Sequence, residues 1–319
     1  MQLIRGLYNL RPEHKRGVLT IGNFDGLHLG HQALLGLLKQ QADWFNTHSC
    51  LLSFEPLPHE YFNRKHGSNA TGRLMNTREK LDALQQLDPR LSPDFMLLLN
   101  FSDALAQMRA SEFIRAILLD ALDIQALVIG DDFRFGSGRE GDIQMLSEAG
   151  ARHGFEVKAL STHALDDLRV SSTRVREALQ QDRLEDASRM LGRDYRICGH
   201  VVHGEKRGRS IGFPTANIRL KRGASPIHGV YSVTMHTARH GALPAIANVG
   251  ARPTVDGSEV RLEVHVFDFS GDLYGQSVCV AFHHKIRDEH KFESFDALKQ
   301  QIQHDCEQAR KLHGLSAAE

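Results

Sequence analysis

Residues 20–32 read TIGNFDGLHLGHQ, and they mark the point where a buried strand turns into a helix. The apolar run at 18–22 predicts the strand, and apolar residues at helical spacing predict a helix over 31–44. Glycines at positions 22, 26 and 30 permit tight turns and a close approach of the backbone to a ligand. Because the first N–H groups of a helix are unpaired, this strand–turn–helix unit is suited to binding phosphate.

The same alternation continues through the first half of the chain. Apolar runs predict further strands at 50–54, 95–99, 126–130 and 157–160, and helical patterns start near residues 77, 111 and 143. Strands that alternate with helices predict an α/β domain with a doubly wound parallel sheet, which we place over residues 1–185. Ligands bind such sheets beyond the carboxyl ends of the strands, so the segments after residues 21, 54 and 129 are candidate site segments.

The pattern changes near residue 185. Two short helical segments are followed by β-type runs at 197–202, 230–235, 245–249, 260–267 and 278–282, with Gly and Pro in the gaps. This pattern predicts a second domain over 186–319, a small antiparallel β-barrel with a sandwich as the alternative. A terminal helix carries an apolar stripe over 295–309, which we expect to face the core.

The composition excludes several classes of protein. The 319 residues are 41% hydrophobic and 24% charged, which is ordinary for a globular chain and excludes a disordered or fibrous one. Lys plus Arg and Asp plus Glu both number 39, so the net charge is zero, and coating of nucleic acid or of an anionic membrane is not expected. No apolar run reaches membrane-spanning or signal-peptide length. The four widely separated cysteines predict no disulfide framework and no zinc site, so we expect a cytoplasmic protein.

His28 and His31 are the first candidate catalytic residues. They are three apart at a helix start, so they share a face and could stabilise charge on a phosphorus centre. Alternatively they are caps or surface residues, but the coincidence of strand, glycine-rich turn and helix start favours a function. The segment His28-Leu29-Gly30-His31 resembles the H-x-G-H signature of nucleotidyltransferases, and GNFDG at 22–26 is similar to the adenylyltransferase half of bacterial bifunctional riboflavin kinase/FAD synthetases. This resemblance implies that ATP is bound by Gly22, Asn23, Phe24, Asp25 and Gly30.

Two further segments of the first half match this family. GDDFRFG at 130–136 is either an exposed loop with buried aromatics or a site in which Phe133 stacks on a flat ring while Asp132 and Arg134 fix its polar edge. The resemblance implies the second reading, with the flavin as the ring. VSSTRVR at 170–176 reads by itself as a helix cap. The resemblance implies a second phosphate-binding segment, in which relatives often have a lysine that is missing here, and we assign it to Ser171, Ser172, Thr173 and Arg176.

The second candidate site lies in the β-rich half. A basic, glycine-rich stretch at 203–212 is by itself a solvated turn, and it lacks the ending of a P-loop. GFPTAN at 212–217 places the neutral oxygens of Thr215 and Asn217 on one face of an extended backbone, which suits a magnesium ion on substrate phosphates. This segment resembles the riboflavin kinase signature, which implies that Thr215 and Asn217 hold Mg²⁺. It also implies nucleotide binding by Gly204, Lys206, Gly208, Gly212, Thr215 and Asn217.

Glu263 is the candidate general base of this second site. In RLEVH at 261–265 the alternation turns Glu263 away from Leu262 and Val264, and alternation alone would make it a solvent-facing residue. The family has its catalytic glutamate in this strand, so the resemblance implies that Glu263 takes the proton of the ribityl hydroxyl that attacks the γ-phosphate. NVGARPT at 248–254 also matches the family, and we assign it to ligand-loop structure.

Together the resemblances imply an enzyme that phosphorylates riboflavin with ATP to FMN, and then adenylylates FMN with ATP to FAD and pyrophosphate. Its ligands would be riboflavin, FMN, FAD, ATP and Mg²⁺, with the flavins as substrates and products rather than a permanent prosthetic group. A nucleotidyltransferase for another phosphorylated precursor would leave GFPTAN and Glu263 idle. A non-catalytic flavin sensor could dispense with the catalytic residues, which are all present. Nucleic-acid binding is left only as a local function of the basic stretch at 206–222, and the sequence leaves open whether the chain forms a homo-oligomer.

Overall fold

The computed structural model describes residues 1–67, 72–161, 164–165, 168–203, 212–220, 224–254 and 257–316. The chain divides into two compact units. The first comprises residues 1–70 and 80–171, and the second comprises residues 71–79 and 172–319. The domain boundary between residues 185 and 186 stays a prediction of where the two activities separate.

The first unit is built on a six-stranded parallel sheet. Its strands are β1 (Gln2–Arg5), β2 (Val18–Ile21), β3 (Ser49–Glu55), β4 (Phe95–Asn100), β5 (Ala126–Gly130) and β6 (Glu156–Leu160). The order in the sheet is β1-β4-β3-β2-β5-β6, and every neighbouring pair is parallel. The chain therefore builds β3 and β4 on one side of β2 and β5 and β6 on the other. This confirms the predicted doubly wound sheet and puts the reversal of strand order between β2 and β5.

Helices connect these strands. They are α1 (Leu29–Trp44), α2 (Pro58–His66), α3 (Thr77–Gln86), α4 (Asp103–Gln107), α5 (Ala110–Phe113), which continues as a π-helical segment (Ile114–Ala121), and α6 (Ile143–His153). Short strands β7 (Ala164–Leu165) and β8 (Leu168–Arg169) pair antiparallel. Alternate apolar residues of the sheet, such as Leu52 and Leu97, pack in one core with Ile117 and Leu146 of the helical segments. Burial of this kind explains why β2 to β5 read as continuous apolar runs.

The second unit is a closed six-stranded antiparallel barrel. Its strands are β9 (Tyr195–Val202), β10 (Ala216–Arg219), β11 (Gly229–Thr237), β12 (Gly241–Thr254), β13 (Gly257–Val266) and β14 (Ser277–Arg287). The order around the barrel is β10-β13-β12-β11-β14-β9, and β9 pairs with β10 to close it. The predicted barrel is therefore confirmed, and the sandwich alternative is excluded. The four-residue strand β10 has no apolar run of its own, so the sequence did not predict it.

Three helices accompany the barrel. These are α7 (Ser172–Gln180), α8 (Leu184–Leu191) and α9 (Phe295–Leu312). Cys306 and Ala309 of α9 are buried against outer-face residues of the barrel such as Ile246 and Phe267. The predicted stripe thus faces the core only in its second half, because Phe295 at its start is 60% exposed.

The cysteines differ from what their spacing indicated. Cys198 on β9 and Cys279 on β14 are direct register partners and form a disulfide, with Cα atoms 4.0 Å apart. The pair is 81 residues apart in sequence, and only the strand register brings the two side chains together. Separately, none of the helices in the described part of the chain has the length and apolar character needed to cross a membrane.

Candidate active sites

The loop after β2 is tightly packed rather than solvent-exposed. Phe24 and Leu27 are fully buried although both adopt positive φ, and Asp25 is 1% exposed. Gly26 has φ +87°, a left-handed conformation that glycine adopts without steric cost. The loop that follows the central strand therefore has one well-defined conformation, which it needs if it is to position a ligand.

His28 is both a helix cap and a candidate catalytic group. It is the N-cap of α1, and its Nδ1 accepts a hydrogen bond of 3.3 Å from the His31 backbone N–H. Because a ring nitrogen that accepts carries no proton, the proton of the neutral ring is on Nε2. The His28 and His31 rings stack with centroids 3.6 Å apart. The structure thus brings the two predicted histidines together.

The packing around Gly30 explains why the H-x-G-H segment has a glycine at this position. A Cβ added at Gly30 would lie 3.2 Å from Nδ1 of His28 and 3.3 Å from its Cε1. Those distances are tighter than ordinary contact, so a side chain at this position would push the His28 ring away from the helix start. The glycine therefore makes room for the capping geometry of His28.

Lys80 holds the backbone of the loop after β2 in place, and the sequence analysis did not identify it. The residue is only 3% exposed, and its Nζ donates to the Asn23 carbonyl at 2.5 Å and to Ser53 Oγ at 3.1 Å. Ser53 Oγ in turn donates to the Asn23 carbonyl at 3.3 Å. Lys80 is four residues before the fully buried Leu84, so a lysine on the core-facing side of a helix was the available signal.

A cavity of about 950 Å³ opens beside this loop. It brings together residues of the first motif and of the 130–136 loop that the sequence had assigned to ATP and flavin. The assigned residues in its lining are Gly22, Asn23, Asp132, Phe133 and Arg134. This agrees with the sheet topology, because β2 and β5 are neighbours and their carboxyl ends open to the same edge.

The cavity also has lining residues that the sequence did not single out. Phe62, Lys65 and His66 come from α2, and Phe101 follows β4. Phe101 makes edge contacts with Phe54 and Phe62 at centroid distances of 5.6 and 5.9 Å. The strand-end rule had pointed to the segment after residue 54, but no periodic pattern indicates that these rings meet. The result is an aromatic wall suited to a flat ligand.

Charged residues of the cavity are partly held by ion pairs. Arg134 forms an ion pair with Asp142 at 2.9 Å, and Arg169 donates to Asp132. A hydrogen bond from the Met145 backbone N–H, and then one from Arg134, hold the pKa of Asp142 below its usual value. Arg134 is therefore fixed in place at the cavity wall.

The segment at 170–176 is divided between the units. Ser171 ends the first unit, while Ser172, Thr173 and Arg176 belong to α7 at the start of the second. Nε of Arg176 donates to the Gly72 carbonyl at 3.0 Å, also within the second unit. Phosphate binding by these four residues stays a prediction.

The barrel brings the second set of predicted residues together through strand register. Asn217 on β10 is the direct partner of Glu263 on β13. Side chains directly opposite each other in an antiparallel pair have Cβ atoms about 4.5–5.5 Å apart. Leu262 and Val264 are buried in the barrel interior, so Glu263 and Asn217 face outward, as the alternation predicted. Thr215 stands just before β10 and lines a cavity of about 290 Å³ with Phe269 and Tyr274.

His265 joins the two segments of this site. Its Nδ1 lies 2.8 Å from the Pro214 carbonyl, and because a carbonyl can only accept, Nδ1 carries the proton and donates. Burial lowers the pKa of His265, which favours this neutral form. His265 therefore fixes the backbone just before Thr215. Gly204, Lys206 and Gly208 lie outside the described residues, whereas Gly212 adopts φ +90°.

Comparisons with known proteins cover both halves of the chain. A family model described as FAD synthetase matches residues 10–174, and one described as riboflavin kinase matches residues 191–313. Three curated relatives are named bifunctional riboflavin kinase/FMN adenylyltransferase. They come from Haemophilus influenzae (48% identical, covering 97% of this chain and 98% of the relative), Pseudomonas fluorescens (46%, 99% and 99%) and Escherichia coli (44%, 99% and 99%).

A solved structure supports the same fold over nearly the full length. It is titled a macrolide-efflux protein from Streptococcus pneumoniae, is 32% identical, and superposes with a TM-score of 0.78 over 97% of this chain and 99% of its own. The chain belongs to the family of bifunctional riboflavin kinases/FMN adenylyltransferases.

Proposed function

We propose that the barrel phosphorylates riboflavin with ATP to FMN, and that the α/β unit then adenylylates FMN with a second ATP to FAD and pyrophosphate. Both activities follow from the family, and the proposal assigns each of them to its own residues. The observation that carries it is the separation of the two constellations. His28 and His31 lie in one compact unit, whereas Thr215, Asn217 and Glu263 lie in the other.

In the adenylyl transfer, the chain supplies positioning and charge stabilisation. The FMN phosphate is already a nucleophile, so the step needs no general base. His28 presents Nε2–H to the phosphate because its Nδ1 is held by the His31 backbone N–H. His31, stacked on His28, would complete a pair of donors at the α-phosphate, where charge builds in the transition state. Gly22, Asn23, Phe24, Asp25 and Gly30 would bind ATP around the helix start.

The large cavity is the proposed flavin site of this reaction. Its volume of about 950 Å³ is at the upper end of the usual range for ligand pockets, which suits a ligand as large as FMN. Phe133 offers a ring face for stacking, and it already stacks on Phe135 with centroids 5.7 Å apart. Asp132 and Arg134 stand at the same wall and would fix the polar edge of the flavin.

In the kinase step, Glu263 would act as general base on the terminal hydroxyl of riboflavin. Asn217 is directly opposite Glu263, and Thr215 precedes Asn217 by two residues. The Thr215 hydroxyl and the Asn217 amide are hard, neutral oxygen donors, which fits a magnesium ion that rides on ATP phosphates. Magnesium would neutralise charge on the transferred phosphoryl group. The cavity next to Thr215, lined by Phe269 and Tyr274, would take the nucleotide base. Gly204, Lys206, Gly208 and Gly212 remain predicted phosphate contacts.

Two matched variants test the assignment. The protein is incubated with riboflavin, ATP and Mg²⁺, and the flavins are separated by chromatography over time. His28→Ala should still form FMN but lose FAD formation about 10²- to 10³-fold, the usual effect of removing one transition-state donor. Glu263→Gln should form no FMN from riboflavin, yet convert supplied FMN to FAD. His304→Ala, at an exposed position of α9, should keep both activities. Equal loss of both activities in a folded His28→Ala or Glu263→Gln protein would refute separate sites.

The cellular setting is part of the same proposal. An enzyme that consumes ATP and riboflavin is expected in the cytoplasm, and cell fractionation tests this. The zero net charge supports small-molecule ligands over a nucleic-acid partner.

A further inference from the structure

A hairpin forms part of the wall of the large cavity in the first unit. Phe135 and Gly141 exchange two backbone hydrogen bonds, of 3.2 and 2.9 Å, and enclose residues 136–140 between them. Four residues of this hairpin line the cavity: Gly136, Ser137, Gly138 and Arg139. The hairpin begins two residues after Phe133, the proposed stacking residue, so it belongs to the same wall as the proposed flavin site.

The hairpin is anchored at both of its ends against the start of α5. At one end, the Ser137 backbone N–H donates to the Met108 carbonyl at 2.8 Å, and a Cβ added at Gly136 would lie 2.7 Å from the Ala110 backbone nitrogen. At the other end, Oε1 of Glu140 accepts a hydrogen bond of 2.8 Å from the Ala110 backbone N–H. These contacts fix the tip of the hairpin relative to the rest of the cavity wall.

Arg139, at this tip, has a backbone conformation that residues with a side chain rarely adopt. Its φ is +59°, and Gly138 before it has φ +63°. In the left-handed region a Cβ lies too close to the following carbonyl oxygen, so glycine fits there and arginine fits only at a steric cost. The hairpin alone would therefore favour glycine at position 139. A residue held in such a conformation on a ligand cavity indicates that its side chain serves the ligand.

The other charged residues of the cavity lining are neutralised by partners within the first unit. The pairs are Lys65 with Asp103 at 2.6 Å, Arg134 with Asp142 at 2.9 Å, and Asp132 with Arg169. A ligand in the cavity meets these groups as ion pairs, in which the attraction of one charge is largely cancelled by its partner.

Arg139 differs from these groups. Its side chain makes no hydrogen bond and no ion pair within the part of the chain that the structure describes. The carboxylate next to it in sequence, Glu140, is already engaged by the Ala110 backbone N–H and by Arg109 at 3.6 Å. Among the described residues of the cavity lining, Arg139 therefore presents a guanidinium with an uncompensated charge and five unused N–H donors.

We propose that Arg139 binds the phosphate of FMN and thereby makes this cavity selective for FMN over riboflavin. The inference deepens the proposed function and rests on the cavity being its flavin site. A planar guanidinium matches a phosphate with two parallel hydrogen bonds, and the phosphate of FMN has three terminal oxygens. Arg139 holds two of them while the third attacks the α-phosphorus of ATP. As that bond forms, the bond from the α-phosphorus to the oxygen that leads to the β-phosphate breaks, and its electron pair leaves with pyrophosphate.

Selection at this cavity matters because the same protein handles both flavins. Riboflavin has the ring of FMN but a neutral hydroxyl in place of the phosphate, so it would occupy the cavity without reacting. A cation that only FMN can use separates the two ligands. The phosphates of ATP share this chemistry, but in the proposed function the helix start at His28 already serves them. Arg139 instead belongs to the loop that carries Phe133.

The test measures FAD formation from FMN, ATP and Mg²⁺, with lumiflavin as a competitor of FMN. Lumiflavin has the flavin ring but neither a ribityl chain nor a phosphate, so the kinase reaction cannot change it. Arg139→Gly removes the guanidinium, and glycine suits the left-handed backbone, so the hairpin is retained. The KM for FMN should rise about ten-fold, which is the effect of losing a charge-assisted hydrogen bond at an exposed site. The Ki of lumiflavin and the KM for ATP should stay the same, which also verifies that the cavity is intact.

Two further variants separate charge from geometry and from position. Arg139→Lys keeps the charge but cannot form the two parallel hydrogen bonds, so its KM for FMN should lie between those of the wild type and Arg139→Gly. Arg152→Met, at an exposed position of α6, is the matched control and should leave all three constants unchanged. Added salt should raise the KM for FMN more in the wild type than in Arg139→Gly, because only the wild type has the charge to be screened.

The outcomes separate this inference from the proposed flavin site. An unchanged KM for FMN in Arg139→Gly overturns the role of Arg139. An equal rise in the Ki of lumiflavin also overturns it, because the side chain would then contact the ring, and a rise in the KM for ATP alone would assign the guanidinium to the nucleotide instead. Phe133→Ala tests the flavin site itself. It should raise both the KM for FMN and the Ki of lumiflavin, and if neither changed, the proposed flavin site would fail whatever Arg139→Gly shows.

Discussion

Exchange of Lys80 for methionine should damage adenylyl transfer without touching the kinase reaction. Lys80 is 3% exposed, and its Nζ is bonded to the Asn23 carbonyl and to Ser53 Oγ. Methionine keeps the length and the apolar stem of the side chain but removes the donor. The loop that carries Asn23 at the cavity wall then loses the hydrogen bond that Lys80 donates to its backbone.

The magnitude follows from what remains after the exchange. A hydrogen bond from a charged donor contributes about 1.5–3 kcal/mol, and removing it leaves a buried acceptor partly unsatisfied. Here Ser53 Oγ still donates to the Asn23 carbonyl at 3.3 Å, so the carbonyl is not orphaned. The variant also no longer buries an ammonium group, which offsets part of the loss. We therefore expect the free energy of unfolding to fall by only about 1–2 kcal/mol.

The effect on catalysis should be larger than the effect on stability. A displacement of about 1 Å in a positioned site costs about 10²-fold in rate. Asn23 lines the cavity and is close in sequence to His28, so both would be affected. FAD formation from FMN and ATP should therefore drop about 10- to 100-fold in Lys80→Met. The same preparation should phosphorylate riboflavin at the normal rate, because the kinase residues lie in the other unit.

A double-mutant cycle between Lys80 and Ser53 tests this role of Lys80. Ser53→Ala alone should have a small effect because Lys80 still donates to the Asn23 carbonyl. The double variant should lose more stability than the sum of the single changes, since only it removes both the Lys80 and the Ser53 donor from that carbonyl. Lys299→Met, at an exposed position of α9, is the matched control. Normal FAD formation in a folded Lys80→Met protein would contradict the supporting role.

Two further predictions concern stability. Arg310 is 8% exposed and makes paired hydrogen bonds of 2.9 Å with Asp268, so Arg310→Met should lower the urea midpoint of the barrel unit; an unchanged midpoint would contradict this. Burial by itself would raise the pKa of Asp94, but hydrogen bonds from Ser49 and Lys39 hold it below its usual value. Its stabilising contribution is therefore present above the unfolded pKa of about 3.9 and is lost as pH falls through the lower folded value, so the stability difference between wild type and Asp94→Asn should shrink below about pH 4. Parallel stability curves for the two proteins would show that Asp94 makes no such contribution.

The sheet could be predicted from the sequence because its signal is local. Strands of a parallel sheet that are buried on both faces appear as unbroken apolar runs, and the helices between them have their own period. The strands at 126–130 and 18–22 were thereby identified separately. Their pairing as β5 and β2 then follows from the doubly wound order, and it brings Asn23 and Phe133 to one cavity.

The barrel site could be predicted only in part, because which of its residues are neighbours depends on the strand register. Alternation placed Glu263 on the outer face, but nothing in the local pattern showed that Asn217 and Asn248 are its two neighbours. The same limit hid the Cys198–Cys279 pair, whose side chains meet only because β9 and β14 align in one register. Contacts between residues far apart in sequence, such as Lys80 with Asn23, leave no periodic trace at all.

The readings that the sequence left as alternatives are not exclusive in the structure. His28 was either a helix cap or a catalytic residue. It is the cap of α1, and this is compatible with the proposed catalytic role, because the cap hydrogen bond occupies Nδ1 and leaves Nε2–H to donate to a phosphate. His265 is likewise a strand residue on the outer face, yet its bond to the Pro214 carbonyl fixes the backbone that presents Thr215. In both cases a hydrogen bond to the backbone fixes either the tautomer or the orientation of the imidazole ring. A group held in this way needs no reorganisation when charge develops beside it, which is the condition under which such groups contribute most to catalysis.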